Sequence, residues 1–225
     1  MNNTLVTLTP GQSTNSDIVP LLLEHLPADR IVHSGLLDGL TPVQIEQQYG
    51  AVAAENVMSI HLNDGSKLLL SAACIERGLQ QRIDQLERSG YEIILLLSSE
   101  KFSGLTTRHA TLLEPDRIVP PLVEAIVEGH QVGIMLPQDG LKDRLAGKWK
   151  NLSYPPCFAV ASPEHPDEEL LIDAALSLQE QGADVVVLDS IGYQQRHRDF
   201  LQKLLGIPVL LPNVLVARLA AELLL

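Results

Sequence analysis

The chain of 225 residues carries 16 Lys and Arg against 28 Asp and Glu, a net charge of -12 with a pI near 4.9. That balance argues against nucleic acid as a partner, because such affinity rests on neutralising phosphates with cationic side chains. The length allows one large domain or two small ones, and either can bury a real core. The two cysteines, Cys74 and Cys157, are too few for a disulfide framework and lack the CxxC spacing of zinc or redox sites. The stretch MNNTLVTLTPGQ has neither the positive flank nor the apolar core of a secretory signal, so a cytoplasmic protein is expected. The run VLLPNVLVARLAAELLL is interrupted by Pro212, Asn213, Arg218 and Glu222 and falls short of the roughly 20 apolar residues of a membrane span.

Leu5 to Thr9 reads as a strand, followed by a polar loop in which Asn15, Ser16 or Asp17 can cap a helix to about Leu26. Ile31 to Ser34 is a second strand. Thr41-Pro42 opens a helix, with proline in the first turn where its missing donor costs little, and Gly50 ends it. Val57 to Leu62 and Lys67 to Leu70 flank Asn63-Asp64-Gly65-Ser66, which has the turn chemistry of an antiparallel hairpin. Ser71 can cap a helix to Ser89, with Ile75, Leu79, Ile83 and Leu86 along one face and Gly90 closing it. The next apolar run, from Tyr91, stops abruptly at Ser98-Ser99-Glu100, as suits a strand buried on both faces of a parallel sheet.

A helix starts near Pro115, and Pro120-Pro121 within its pattern should bend it or delay its start. Val132 to Leu136 is a strand, Asp139 to Trp149 a helix, Phe158 to Ala161 a strand and Asp167 to Gln181 a helix ended by Gly182. Val185 to Leu188 repeats the buried-strand pattern and stops at Asp189-Ser190. A helix from Tyr193 to Leu205, a strand from Pro208 to Leu211 and an apolar final helix complete the chain. The alternation predicts an α/β fold of parallel sheets in two similar halves.

Ligands of such sheets gather beyond the carboxyl ends of the strands. The loops that begin at Thr9, Ser98, Pro137 and Asp189 therefore supply the candidate ligand-binding residues: Thr9, Gly11, Gln12, Ser98, Glu100, Pro137, Gln138, Asp189 and Gly192. Each loop precedes an expected helix N-terminus, whose amides favour an anion, so a small carboxylate or phosphate-like metabolite is the expected partner. There is no GxGxxG, P-loop, HExxH or GxSxG pattern, and neither a cofactor nor a metal is assigned. Asp139, Asp189, Glu100 and Glu114 could together collect a metal, but scattered carboxylates in an acidic chain are more often capping or surface groups.

Three segments, LLEPDRIVPPLVEAIVEGHQVG, LDSIGYQQRHRDFLQKLL and IPVLLPNVLVARLAAELL, resemble the AroM family, and the likeness runs over the whole chain. That family is similar in plan to the aspartate/glutamate racemase superfamily. The resemblance implies two pseudo-symmetric Rossmann-like parallel-sheet domains with an interdomain cleft. It also implies a C-terminal return to the first domain, giving 1–113 with 206–225, and 114–205. It further implies a link to aromatic amino acid biosynthesis. The superfamily's racemases exchange a proton through two cysteines at the ends of the focal strands, and by position these fall at Ser99 and Ser190.

Both are serine here, which weighs against racemisation, since a hydroxyl needs a partner base to do the work of a thiolate. His197, seven residues after Ser190, is the candidate base, against the alternative of a hydrogen-bonded core histidine. His109 could approach from the loop after Ser99. The catalytic candidates are Ser99, Ser190 and His197, for isomerase or lyase chemistry. The alternative is a non-catalytic metabolite sensor in which the apolar tail helix helps build a homodimer.

Overall fold

The computed structural model describes residues 2–13, 18–51, 56–98, 100–138, 147–163, 168–190 and 192–224. The expected caps Asn15, Ser16 and Asp17, the candidate Ser99, the carboxylate Asp139 and the body of the helix expected from it lie outside them. The chain forms two compact units, Met1–Glu114 with Ala220–Leu225, and Pro115–Leu219.

In the first unit β1 (Asn2–Thr9), β2 (Ile31–Gly35), β5 (Tyr91–Leu96) and β6 (Thr111–Leu113) form a parallel sheet in the order β2-β1-β5-β6. The central strands bury consecutive apolar residues, Leu5 and Val6 on β1 and Ile94 to Leu96 on β5, because both faces of the sheet are covered. Helices α1 (Val19–Leu23), α2 (Pro42–Tyr49) and α3 (Ala72–Arg88) accompany it, and β3 (Val57–His61) pairs antiparallel with β4 (Lys67–Ser71) as the hairpin chemistry predicts. A capping box starts α2, with the Thr41 hydroxyl accepting from the Gln44 amide and the Gln44 side chain from the Thr41 amide. Ser71 caps α3. That helix buries Ile75, Leu79, Ile83 and Leu86 in one core with Val6, Leu8, Ile94 and Leu96.

The second unit repeats the scheme. Strands β7 (Val132–Leu136), β8 (Cys157–Val160), β9 (Val185–Leu188) and β10 (Val209–Leu210) form a parallel sheet in the order β10-β9-β7-β8. Helices α4 (Pro115–Ile126), α5 (Glu168–Glu180), α6 (Gln195–Leu205) and α7 (Pro212–Glu222) belong to this half of the chain. Gly206, at φ +67°, closes α6 in the left-handed conformation that a side chain resists. In both sheets the first strand leads to an outer neighbour. The third then lies on the other side of the first, and the fourth beyond it.

Two expectations need correction. The start of α4 is not delayed by Pro120 and Pro121: the helix begins at Pro115 and runs through both, and Pro120 is buried in its packing. Strand β6 was not foreseen, because three residues are too few to show a period. Burial also settles where the apolar tail goes. Val214, Val216, Ala217, Ala220 and Ala221 are covered within the single chain, while Leu219 and Leu223 stay exposed. Among the described residues no helix is long and apolar enough to cross a membrane.

The connection from β5 to β6 is held by α3. Glu76 accepts from the Gly104 amide at 2.5 Å, and Gln80 both accepts from the amide of Thr106 and donates to its carbonyl, at 2.8 and 2.9 Å. One Glu87 oxygen takes the amides of Arg108, His109 and Ala110 at 2.7–2.9 Å. Desolvation pushes the Glu87 carboxyl up, but these amides outweigh it and hold the group below its ordinary value. His109 lies two residues before β6, so it stands at the edge where the parallel strands begin, opposite the edge where ligands gather.

Candidate functional site

The strand-end loops of the first unit are built from hydroxyls that fold the chain back on itself. Thr9 Oγ1 accepts from the Gly11 amide at 3.3 Å, and Ser98 Oγ accepts from the Glu100 amide at 3.1 Å. Such turns are a local competitor to continued strand. The Asn63 amide at the hairpin turn donates to Gln12 Oε1 at 2.8 Å. Asp38 joins the loops after β1 and β2, accepting from the Ser13 amide at 2.8 Å and the Gly35 amide at 2.7 Å. Partial desolvation pushes its carboxyl up, but these amides, the Ser13 hydroxyl and the charge of Arg82 together pull it below the ordinary 3.8.

A depressed carboxylate stabilises the fold above its unfolded pKa, and that contribution is lost as pH falls through the folded value. Asp38→Asn puts an NH₂ against one of the two amides, with an expected cost of about 1–2 kcal/mol at neutral pH. Urea melts should show the gap to wild type constant between about pH 5 and 7 and closing below about pH 4. A gap independent of pH would mean that the charge of Asp38 contributes nothing.

In the second unit Ser190 Oγ accepts from the Gly192 amide at 3.2 Å, the same turn again. A Cβ on Gly192 would meet Pro163 Cγ at 2.9 Å, so the loops after β8 and β9 touch there. Asp189 is buried, and both of its oxygens are engaged. Lys148 Nζ donates to Oδ1 at 2.5 Å and the Trp149 indole Nε1 to Oδ2 at 2.8 Å. The buried Tyr193 hydroxyl donates to the Ala161 carbonyl at 2.6 Å, and Asn213 Nδ2 donates to the Tyr193 carbonyl at 3.1 Å. Burial first, and then the negative charge of Asp189, holds the Tyr193 phenol far above its ordinary value, so it stays protonated.

His197 Nδ1 accepts from the Gln194 amide at 2.9 Å in a box that starts α6, which places the proton of the neutral ring on Nε2. Its ring lies edge-on to Tyr193, with centroids 6.0 Å apart. Ser190 and His197 are not hydrogen-bonded to each other. Pro137 is half-buried and Gln138 exposed at the end of β7. Among the described residues no three His, Cys, Asp or Glu side chains gather as a metal site.

Equivalent hydrogen bonds align the two units residue by residue. Leu97 donates its amide to the Leu8 carbonyl at 2.7 Å as Asp189 does to Met135 at 3.0 Å, and Leu36 donates to Thr9 as Ala161 does to Leu136, both at 3.0 Å. This register equates Leu8 with Met135, Pro10 with Pro137, Ser98 with Ser190 and Leu97 with Asp189. The paired hydroxyls at the ends of the central strands are thus Ser98 and Ser190, and they make the same turn. The buried carboxylate has a leucine as its counterpart. Lys148, Trp149, Tyr193 and Asn213 escaped the sequence reading. The only available signal was a lone Trp, beside a Lys, in a chain with 4% aromatics.

The family model described as AroM protein matches residues 5–224. No curated protein matches the chain. Among solved structures it is similar to allantoin racemase from Pseudomonas fluorescens, at 15% identity and a TM-score of 0.57, covering 98% of this chain and 90% of that one. Picrophilus torridus aspartate racemase is similar at 12% identity and a TM-score of 0.57, with 98% and 94% covered. Glutamate racemase from Francisella tularensis subsp. tularensis SCHU S4, in complex with D-glutamate, matches at 12% identity and a TM-score of 0.57, with 100% and 81% covered. At these identities the likeness is one of fold.

Proposed function

Since the chain belongs to the AroM family, with its racemase-like fold, we propose that it binds a small carboxylate or amino acid-like metabolite at the strand-end loops. The observation that carries this reading is the repeated hydroxyl turn. Ser98 and Ser190 sit at matched ends of β5 and β9, where the strand order of each sheet reverses beside β1 and β7. In each turn the hydroxyl oxygen accepts an amide, and among the described residues no acceptor takes its proton. A hydroxyl donor at each unit's ligand-gathering edge suits an acceptor-only anion there. A place in aromatic amino acid metabolism belongs to this reading through the family alone.

Ser190→Ala is expected to weaken a bound carboxylate about 5- to 10-fold, the value of one hydrogen bond, while leaving the melting temperature nearly unchanged. Titration calorimetry measures the first and calorimetric melting the second. Unchanged affinity removes Ser190 from the site.

Within this reading the sensor form is favoured over proton abstraction by one arrangement. His197 Nδ1 is engaged by the Gln194 amide, Tyr193 is held protonated, and among the described residues no base is hydrogen-bonded to Ser190. Incubation of bound amino acids in D₂O separates the two forms. Deuterium at the α-carbon would establish isomerase-type chemistry, and its absence would leave binding alone.

A further inference from the structure

We infer that Lys148 is the cationic contact for the ligand's carboxylate and that this recognition is one-sided, confined to the second unit. The inference rests on the small-carboxylate reading above. The Lys148 side chain is only 10% exposed. Its ammonium lies 2.5 Å from Asp189 Oδ1 and 5.4 Å from the centre of the Trp149 ring. An ammonium carries three N–H donors. Among the described residues one is taken by Asp189 and the indole covers a flank, which leaves donor capacity without a recorded acceptor. Each Asp189 oxygen already accepts one donor, Oδ1 from the Lys148 ammonium and Oδ2 from the Trp149 indole.

Buried donors are ordinarily satisfied, and an unsatisfied one on a charged group is more costly than on a neutral group. Ser190, the next residue after Asp189, adds a hydroxyl whose proton no described residue accepts. The spare protons on Lys148 and Ser190 are donors. They match the two oxygens of a planar carboxylate. Lys148 and Asp189 cancel in charge, so a monoanionic carboxylate leaves one net negative charge at the site, whereas a dianionic phosphate would leave two beside a buried aspartate.

Among the described residues the first unit has no counterpart of this cluster. The register puts Leu97 where Asp189 stands, and a leucine cannot hold a lysine ammonium in place. Two units with one sheet topology thus differ at this strand end, a buried carboxylate in one and a leucine in the other.

The test uses the full chain and a panel of acetate, benzoate, malonate, L-aspartate and L-glutamate, each paired with its amide in calorimetric titration. For the acids that bind wild type, the amide is expected to bind about 10- to 100-fold more weakly, the worth of a charge-assisted hydrogen bond. Lys148→Arg should keep the preference for the acid. The double variant Lys148→Met with Asp189→Leu, which removes both charges together, should lose it. If that variant fails to melt cooperatively, Lys148→Gln gives the same readout. A retained preference in the charge-free variant overturns the Lys148 assignment and leaves the carboxylate reading standing. If no acid in the panel binds wild type, both fall.

Discussion

Asp189→Leu alone is expected to destabilise the second unit by about 3–5 kcal/mol, the cost of leaving a buried ammonium without its partner. Lys148 is the group stranded, since its recorded ion pair is with Asp189. Adding Lys148→Met should recover most of that loss, because two apolar side chains replace a pair whose attraction was offset by desolvation. The leucine has a precedent in the molecule itself. Leu97 occupies the matching register position in the first unit and is buried there. A residual cost of about 1–2 kcal/mol should remain, because the Trp149 indole N–H also loses its acceptor. Urea denaturation of the two singles and the double completes the cycle. Equal destabilisation of Asp189→Leu and the double variant would show that the indole, and not the ammonium, carries the energy.

Gly35→Ala should cost about 3 kcal/mol, although alanine adds only one carbon. A Cβ at Gly35 would lie 2.6 Å from the Ser13 amide nitrogen, 2.6 Å from Asp38 Oδ1 and 2.7 Å from the Gly11 carbonyl oxygen. Two of those atoms are backbone and cannot rotate away. The third is the carboxylate that ties the loops after β1 and β2 together. The strain must spread into both loops, so weaker ligand binding should accompany the lower stability. Gly147→Ala is the control, since among the described residues nothing lies within 4 Å of a Cβ there. Its effect should stay within about 0.5 kcal/mol. Thermal melts that rank the two alike would remove the close packing at Gly35 as the cause.

The hydroxyl turns at Thr9, Ser98 and Ser190 were legible as positions, because apolar runs that stop at small polar residues mark strand ends. Which hydroxyls correspond was not. The superfamily resemblance paired Ser99 with Ser190, while the inter-strand hydrogen bonds equate Ser98 with Ser190, and Ser99 lies outside the described residues. A one-residue choice of this kind depends on which carbonyl each amide meets on a neighbouring strand, and no local pattern encodes it. His109 illustrates the same limit. Its distance in sequence from the end of β5 is short, but the connection runs back along α3 and delivers it to the opposite edge of the sheet.

Taken by itself, the sequence determined the α/β alternation, the hairpin, the caps at Thr41 and Ser71 and the two buried central strands. Each of these follows from interactions within a few residues or from one side-chain period. Only the tertiary structure decided that Asp189 pairs with Lys148 and accepts from the Trp149 indole, 41 and 40 residues earlier in the chain, and that Leu97 is its counterpart. Such a cluster is fixed by where Lys148 and Trp149, between β7 and β8 in the chain, land on the end of β9. That placement is set by the packing of the whole unit and leaves no periodic trace in the residues that meet.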